Sequence, residues 1–265
     1  MDQKSLLRTL TIGIDSILVP YIDRYLAQGE FPDDLEMVLN RNKASDPYFH
    51  PSGDCFTPPR NLYLQKTGME TKPKPGAALR KTFDCGHLWH MYLQGIMQEM
   101  GFLTPENTEK PLLTTLEGPY GPFTAAGTAD CVDVAIPQKG LWLVDIKTMR
   151  KDEFEAGANK YTYMKWEAQV NCYMDWLGVD QAMILAISKD SPHTMREYKI
   201  VKRPELLEEI YERWSYTAKC LEEKTLPEEG WEPEDPMLLN PGDSATDVIV
   251  AEKDGEVSQS VVGRT

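Results

Sequence analysis

Cysteine is scarce in this chain, and what there is follows no pairing pattern. Five cysteines (Cys55, Cys85, Cys131, Cys172 and Cys220) occur in 265 residues, an odd number with no C-x-x-C among them. That spacing argues against a disulfide-stapled scaffold and predicts a reducing, cytoplasmic compartment. Long apolar runs are missing as well. The stretch Leu10–Tyr21 is broken by Asp15 and Pro20, too short to span a bilayer, and no signal-peptide pattern opens the chain. No membrane partner is expected. Positive charge is in deficit, with 28 Lys and Arg against 42 Asp and Glu, a net charge of -14. Such a balance disfavours indiscriminate coating of nucleic acid. The deficit is uneven, however. Thr225–Thr265 carries ten acidic and two basic residues, whereas Lys139–Arg203 carries nine acidic and eleven basic. The acid is therefore concentrated at the C-terminal end. No internal repeat is visible.

What is present reads as one large domain with additions. Residues 1–45 are expected to form an N-terminal helical segment broken near Gly29-Glu30-Phe31-Pro32. Residues 46–80 read mostly as loop, with a short helix around Arg60–Lys66. Residues 79–101 have apolar side chains at helical spacing (Leu88, Met91, Tyr92, Ile96) and stop at Gly101. Residues 102–126 read as irregular. A hairpin follows over 127–148, turning at Pro137-Gln138-Lys139-Gly140. Residues 152–160 read as a mobile loop, 161–177 as a helix ended by Gly178, 181–188 as a buried strand, 195–201 as a weaker strand and 203–224 as a charged helix. Residues 46–225 make the domain, and the acidic, Pro-containing tail 226–265 is expected to be extended or disordered. The order of elements predicts an α/β fold, a central mixed sheet flanked by helices.

The hairpin has charges where a core strand should have methyl groups. In the strand Leu141–Thr148, alternation puts Leu143, Asp145 and Lys147 on one face and Trp142, Val144 and Ile146 on the other. Asp130, on the partner strand, is expected to share a face with Val132 and Val134. A lone buried carboxylate is costly. Two carboxylates and an amine together are resolved either as an internal ion pair or by a divalent cation, for which carboxylate oxygens are suitable ligands. Asp145 and Lys147 are neighbours on one face, so an ammonium could orient a water beside a cation held by Asp145, an arrangement suited to attack on a phosphodiester. In the next helix, Gln169 and Tyr173 are four apart and share a side. Gln169 is a poor core residue within its bracket of Trp166, Val170 and Met174. The long helix offers His87 and His90 in GHLWH. The basic residues Arg150, Lys151, Lys160 and Lys165 either meet phosphates or line a solvated face. Cys131 and Cys172 read as small core residues.

His90, then GTAD (Gly127, Asp130), DIK (Asp145, Ile146, Lys147) and QVNCY (Gln169, Tyr173), in that order, resemble the PD-(D/E)xK nucleases. More narrowly, they resemble RecB-type domains, including phage exonucleases and CRISPR-associated adaptation nucleases. The resemblance spans about residues 50–200. It implies a restriction-endonuclease-like core and a Mg²⁺- or Mn²⁺-dependent nuclease acting on DNA. It further implies His90, Asp130, Asp145 and the Ile146 carbonyl as metal ligands, Lys147 as catalytic, and Gln169 and Tyr173 as positioning the site or the strand. The upstream HPSGDCFTPPRNLYL matches relatives in part, through Ser52, Arg60 and Tyr63, which points to Ser52 and Arg60 as nucleic-acid contacts. Pro58 stands where those relatives place a cluster cysteine, and Cys220 alone lies in the C-terminal part, so no iron–sulfur cluster is expected. Met91 follows His90 where an acidic residue is frequent. The compact size suggests, by analogy, a stand-alone exonuclease of phage or mobile-element recombination or repair, with a recombination or replication protein or a second copy of the chain as partner. An endonuclease on the same fold and a non-catalytic adaptor are the rival readings.

Overall fold

The computed structural model of the chain describes residues 17–22, 47–70, 77–190 and 195–232, and the backbone of 252–253 and 256–257. Two short helices, α1 (Pro51–Asp54) and α2 (Pro59–Lys66), each begin at a proline, whose missing N–H has no helical partner to lose there. The long helix α3 (Ala77–Glu99) precedes strands β1 (Thr108–Gly118), β2 (Gly121–Ile136) and β3 (Gly140–Met149). Helices α4 (Lys151–Ala156) and α5 (Lys160–Leu177) carry the chain over to β4 (Ala182–Ser188), which pairs with β5 (Met195–Ile200); α6 (Pro204–Glu223) follows. The sheet runs β1-β2-β3-β4-β5. Only the β3–β4 pair is parallel, because only there does a helical crossover intervene.

Alternation along β3 sends side chains to two helical layers. Val144 and Ile146 meet Leu93, Ile96 and Met97 of α3, together with Leu18, Val19 and Ile22. Leu143 meets Val170, Tyr173 and Met174 of α5. Helix α5 starts where the Asn159 side chain accepts the Thr162 N–H, 2.9 Å, and stops where Gly178 takes φ 66. A third cluster, Phe49, Phe123 and Trp214, packs α6 on the outer end of the β1–β2 hairpin. No described helix is long and apolar enough to cross a membrane.

Two expectations change. Residues 102–126 are not irregular: they contain β1 and the first part of β2, closed at Pro119-Tyr120 between Gly118 and Gly121. Most of β1 alternates between half-buried and exposed positions, so its period-two signal lacks apolar contrast. Pro111 is accommodated because β1 is an edge strand, where proline is tolerated. Residues 152–160 begin in a short helix, α4, pinned by the buried Phe154 against Met149 and Ala186. Most of segment 1–45 lies outside the described residues, yet Ile17–Ile22 joins the core, its Leu18 and Val19 N–H groups donating to the Glu197 carboxylate. The tail expectation likewise falls largely outside the described residues. Its first residues are docked, with Trp231 stacked on Tyr216 at 4.4 Å between ring centroids.

Candidate active site

The centre lies where β2 and β3 part. Their ladder runs from Ile136 opposite Gly140 to Cys131 opposite Val144 and is not continued past that pair. Just beyond, Asp130 Oδ2 accepts the Ile146 N–H at 2.7 Å, a carboxylate taking the hydrogen bond that a strand carbonyl would otherwise take. The ladder is also irregular between Cys131 and Val134, where Asp133 has φ 54. That irregularity overturns the expected shared face of Val132 and Val134. Val132 packs on the α5 side and Val134 on the α3 side.

On the α5 side, Lys147 Nζ lies 2.7 Å from Asp145 Oδ2. Asp145 Oδ2 is buried, and the Lys147 ammonium compensates its charge there. Gln169 links the pair. Its Oε1 accepts from Lys147 Nζ at 3.1 Å and its Nε2 donates to Asp145 Oδ1 at 3.3 Å. The same nitrogen lies 3.4 Å from the Tyr173 hydroxyl. Tyr173 in turn lies so close to Gly127 that a Cβ there would fall 2.7 Å from its Cε1 and 2.8 Å from its hydroxyl oxygen. The glycine of GTAD thus leaves the room in which Tyr173 sits.

On the other side, His90 Nδ1 approaches Asp130 Oδ2 at 3.5 Å and Glu109 Oε1 at 3.9 Å. His90 faces these carboxylates, and the His87 ring lies 6.4 Å from its own. Two residues here were not singled out from sequence. Gln94, buried one turn after His90, donates from Nε2 to Glu109 Oε1 (3.0 Å) and to the Asp130 carbonyl (3.1 Å). Its position, a buried amide on an apolar helix face, is the same signal that Gln169 gives. Glu109 lies at the start of β1 and carries no such signal.

The charges set each other. Burial pushes Asp130 up, but the His90 imidazolium, the Lys147 ammonium and the Ile146 N–H together outweigh it and hold the carboxyl low. Burial disfavours the Lys147 ammonium, yet Asp145 and Asp130 raise its pKa, so it stays protonated. Burial disfavours the His90 imidazolium and Lys147 repels it, but the charge and hydrogen bond of Asp130, with the charge of Asp145, together outweigh them and raise its pKa. Asp145 is pushed up to about 6, mainly by burial and then by Asp130, against the pull of Lys147. An unfolded chain releases that proton near 3.8, the folded chain near 6. In that window the folded state holds the extra proton, so the contribution of Asp145 to stability falls as pH rises through it. Unfolding in EDTA at a series of pH values should show this fall in wild type minus Asp145→Asn; a rise across the window would mean that Asp145 ionises early.

His90, Glu109 and Asp130 offer ligand atoms all within 4.8 Å of one another. Asp145 lies outside that group of three, beside it, with its Oδ2 held by the Lys147 ammonium at 2.7 Å. Oxygen-rich donors with one imidazole suit a divalent cation. The expected nucleic-acid contacts are dispersed. Ser52 and Lys165 line one small cavity of about 50 Å³ with Tyr161, between α1 and α5. Arg60 Nη1 instead donates to the Pro227 carbonyl, 3.1 Å. Arg150, at the cap of α4, pairs with Asp152 and Glu153, and Lys151 pairs with Glu155, all exposed side chains. Cys131 and Cys172 are buried thiols.

No protein-family model matches the chain, and no curated protein matches it in sequence. Several solved structures are similar. SSO0001 is 15% identical, with TM-score 0.45 over 80% of this chain and 88% of that one. A candidate exonuclease from Eubacterium rectale is 13% identical, with TM-score 0.46 over 74% and 91%. The alkaline exonuclease LHK-Exo from Laribacter hongkongensis, also solved with dAMP, is 16% identical, with TM-score 0.39 over 67% and 89%.

Proposed function

We propose that the chain is a Mg²⁺- or Mn²⁺-dependent deoxyribonuclease that hydrolyses phosphodiester bonds. The observation that carries this reading is the parting of β2 and β3, which gathers Asp130, Asp145, Lys147, His90 and Gln169 into one partly buried centre. A purely structural ion pair would need neither a second carboxylate facing a histidine nor an amide holding both partners. A divalent cation held by Asp130, Asp145 and His90, with the Ile146 carbonyl, would neutralise phosphate charge and acidify a water. Lys147 is held as an ammonium, so it donates hydrogen bonds rather than taking a proton. Gln169 fixes its direction, and Tyr173 fixes Gln169. The ammonium can thus orient the attacking water and share the charge that develops on the phosphate. Asp145→Ala should lose both cleavage and cation binding by calorimetry; affinity equal to wild type would move the cation elsewhere.

Action at DNA ends rests on the resemblance to RecB-type and phage exonucleases; an endonuclease of the same chemistry is separated by a closed circular substrate. Lys165 and the exposed Tyr161 lie four and eight residues before Gln169 on one side of α5, with Ser52 beside them. Lys165 Nζ sits 4.3 Å over the Tyr161 ring. A cation beside an exposed ring suits a phosphate and its stacked base, and stacking is worth about 1–3 kcal/mol per base. The double change Tyr161→Ala, Lys165→Ala should therefore weaken DNA binding in Ca²⁺ about tenfold. It should leave cleavage at saturating DNA near wild type, and undiminished binding would take the strand off this surface. The surface pairs of Arg150 and Lys151 hold those side chains by under about 1 kcal/mol, so phosphates can compete for both.

A further inference from the structure

Glu109 lies in β1 between Thr108 and Lys110, whose ladder partners Cys131 and Ala129 flank Asp130 in β2. Two carboxylates in that relation repel and destabilise a strand pair. Glu109 also has φ 49, a backbone conformation uncommon outside glycine, asparagine and aspartate. Neither feature is useful to an edge strand alone. Both place a third anionic group against His90 and Asp130, and the Gln94 amide fastens it there while also holding the Asp130 carbonyl. The neighbouring Asp145, 1% exposed, adds a further buried carboxylate beside this group, paired with Lys147. Met91 occupies the position after His90 where an acid is frequent in the resembled nucleases, and β1 brings an acid to the same histidine from another direction.

We propose that Glu109 is a ligand of the divalent cation, with His90 and Asp130, and that Gln94 is the positioning residue that presents it. The inference rests on reading this centre as a cation site. With one imidazole among carboxylates, the set favours Mn²⁺ over Mg²⁺. Glu109→Gln keeps the shape and an acceptor for Gln94 while removing the charge that binds the cation.

The test is a Mn²⁺ titration of the full chain without DNA, with free Mn²⁺ read by electron paramagnetic resonance. Glu109→Gln should bind Mn²⁺ at least about tenfold more weakly than wild type. Its thermal unfolding in EDTA should be unchanged or raised, because a repulsion is gone. Gln94→Met should weaken Mn²⁺ severalfold but add little in the Glu109→Gln background, the signature of a residue acting through another. Should Glu109→Gln fail to fold, Glu109→Asp carries the test, since a withdrawn carboxylate must also weaken Mn²⁺. Wild-type affinity in the folded Glu109 variant overturns the ligand assignment and leaves the centre standing. Absence of Mn²⁺ binding by wild type overturns the cation reading itself.

Discussion

Lys147→Ala should reduce DNA cleavage by about a hundredfold or more, the usual scale for losing a positioned proton donor, and should tighten Mn²⁺ binding at the same time. The two effects have one cause. The Lys147 ammonium lies 2.7 Å from the Asp145 carboxylate and competes with any cation for it. Two unit charges about 4 Å apart at an effective dielectric constant near 20 interact by about 4 kcal/mol, so removing the ammonium favours the cation even after solvent relaxes. A gain of about tenfold or more in affinity corresponds to about 1.4 kcal/mol, well within that bound. The variant also leaves Asp145 buried without its counter-charge, so its carboxyl should move up further and the extra affinity should fade in acid. Calorimetry with Mn²⁺, paired with a cleavage assay, reads both effects. Unchanged cleavage would remove Lys147 from the chemistry. Weaker Mn²⁺ binding would mean that the ammonium organises the ligands instead of competing with them.

Gly127→Ala should cost about 1–3 kcal/mol of stability, the range for overpacking a close contact, and should lower cleavage along with it. The new methyl group would sit 2.7 Å from Tyr173 Cε1. Tyr173 is almost fully buried, against Val170 and Met174, and cannot swing aside freely. A shift of its ring moves the hydroxyl that Gln169 faces, and through Gln169 the ammonium of Lys147. A double-mutant cycle isolates this chain of contacts. Tyr173→Ala alone should be destabilising, but adding Gly127→Ala to it should cost little more, because the clash partner is gone. Additive costs would mean that the glycine serves something other than Tyr173.

The hairpin and the long helices were legible because their signals are local. Gly178 ends α5, three residues turn β2 into β3, and an apolar run of six makes most of β4. Asp130, Asp145 and Lys147 stood out because charge inside an apolar strand is costly and demands an explanation. Other features were written in a weaker code. The β1 strand hides because its residues are half-buried on one side and exposed on the other, which blunts the contrast. The irregularity at Val132-Asp133 has no glycine to announce it, and it alone separates Val132 from Val134. Glu109 reaches the centre through strand pairing across a two-residue turn, a relation that spacing along the chain does not express. Gln94 could have been found, since a buried amide one turn from His90 is the same anomaly that Gln169 presents.

The central claim, that these residues form a cation-dependent nuclease centre, is tested most directly by cleavage itself. End-labelled linear duplex, single-stranded DNA and closed circular duplex would be incubated with the protein in Mg²⁺, in Mn²⁺ and in EDTA, with Lys147→Ala alongside. The expected result is loss of linear DNA in either cation, none in EDTA, and none above background with Lys147→Ala, while the closed circle survives. Cutting of the circle would keep the chemistry and replace action at ends by internal cleavage. A folded protein that cuts no substrate in either cation would contradict the account.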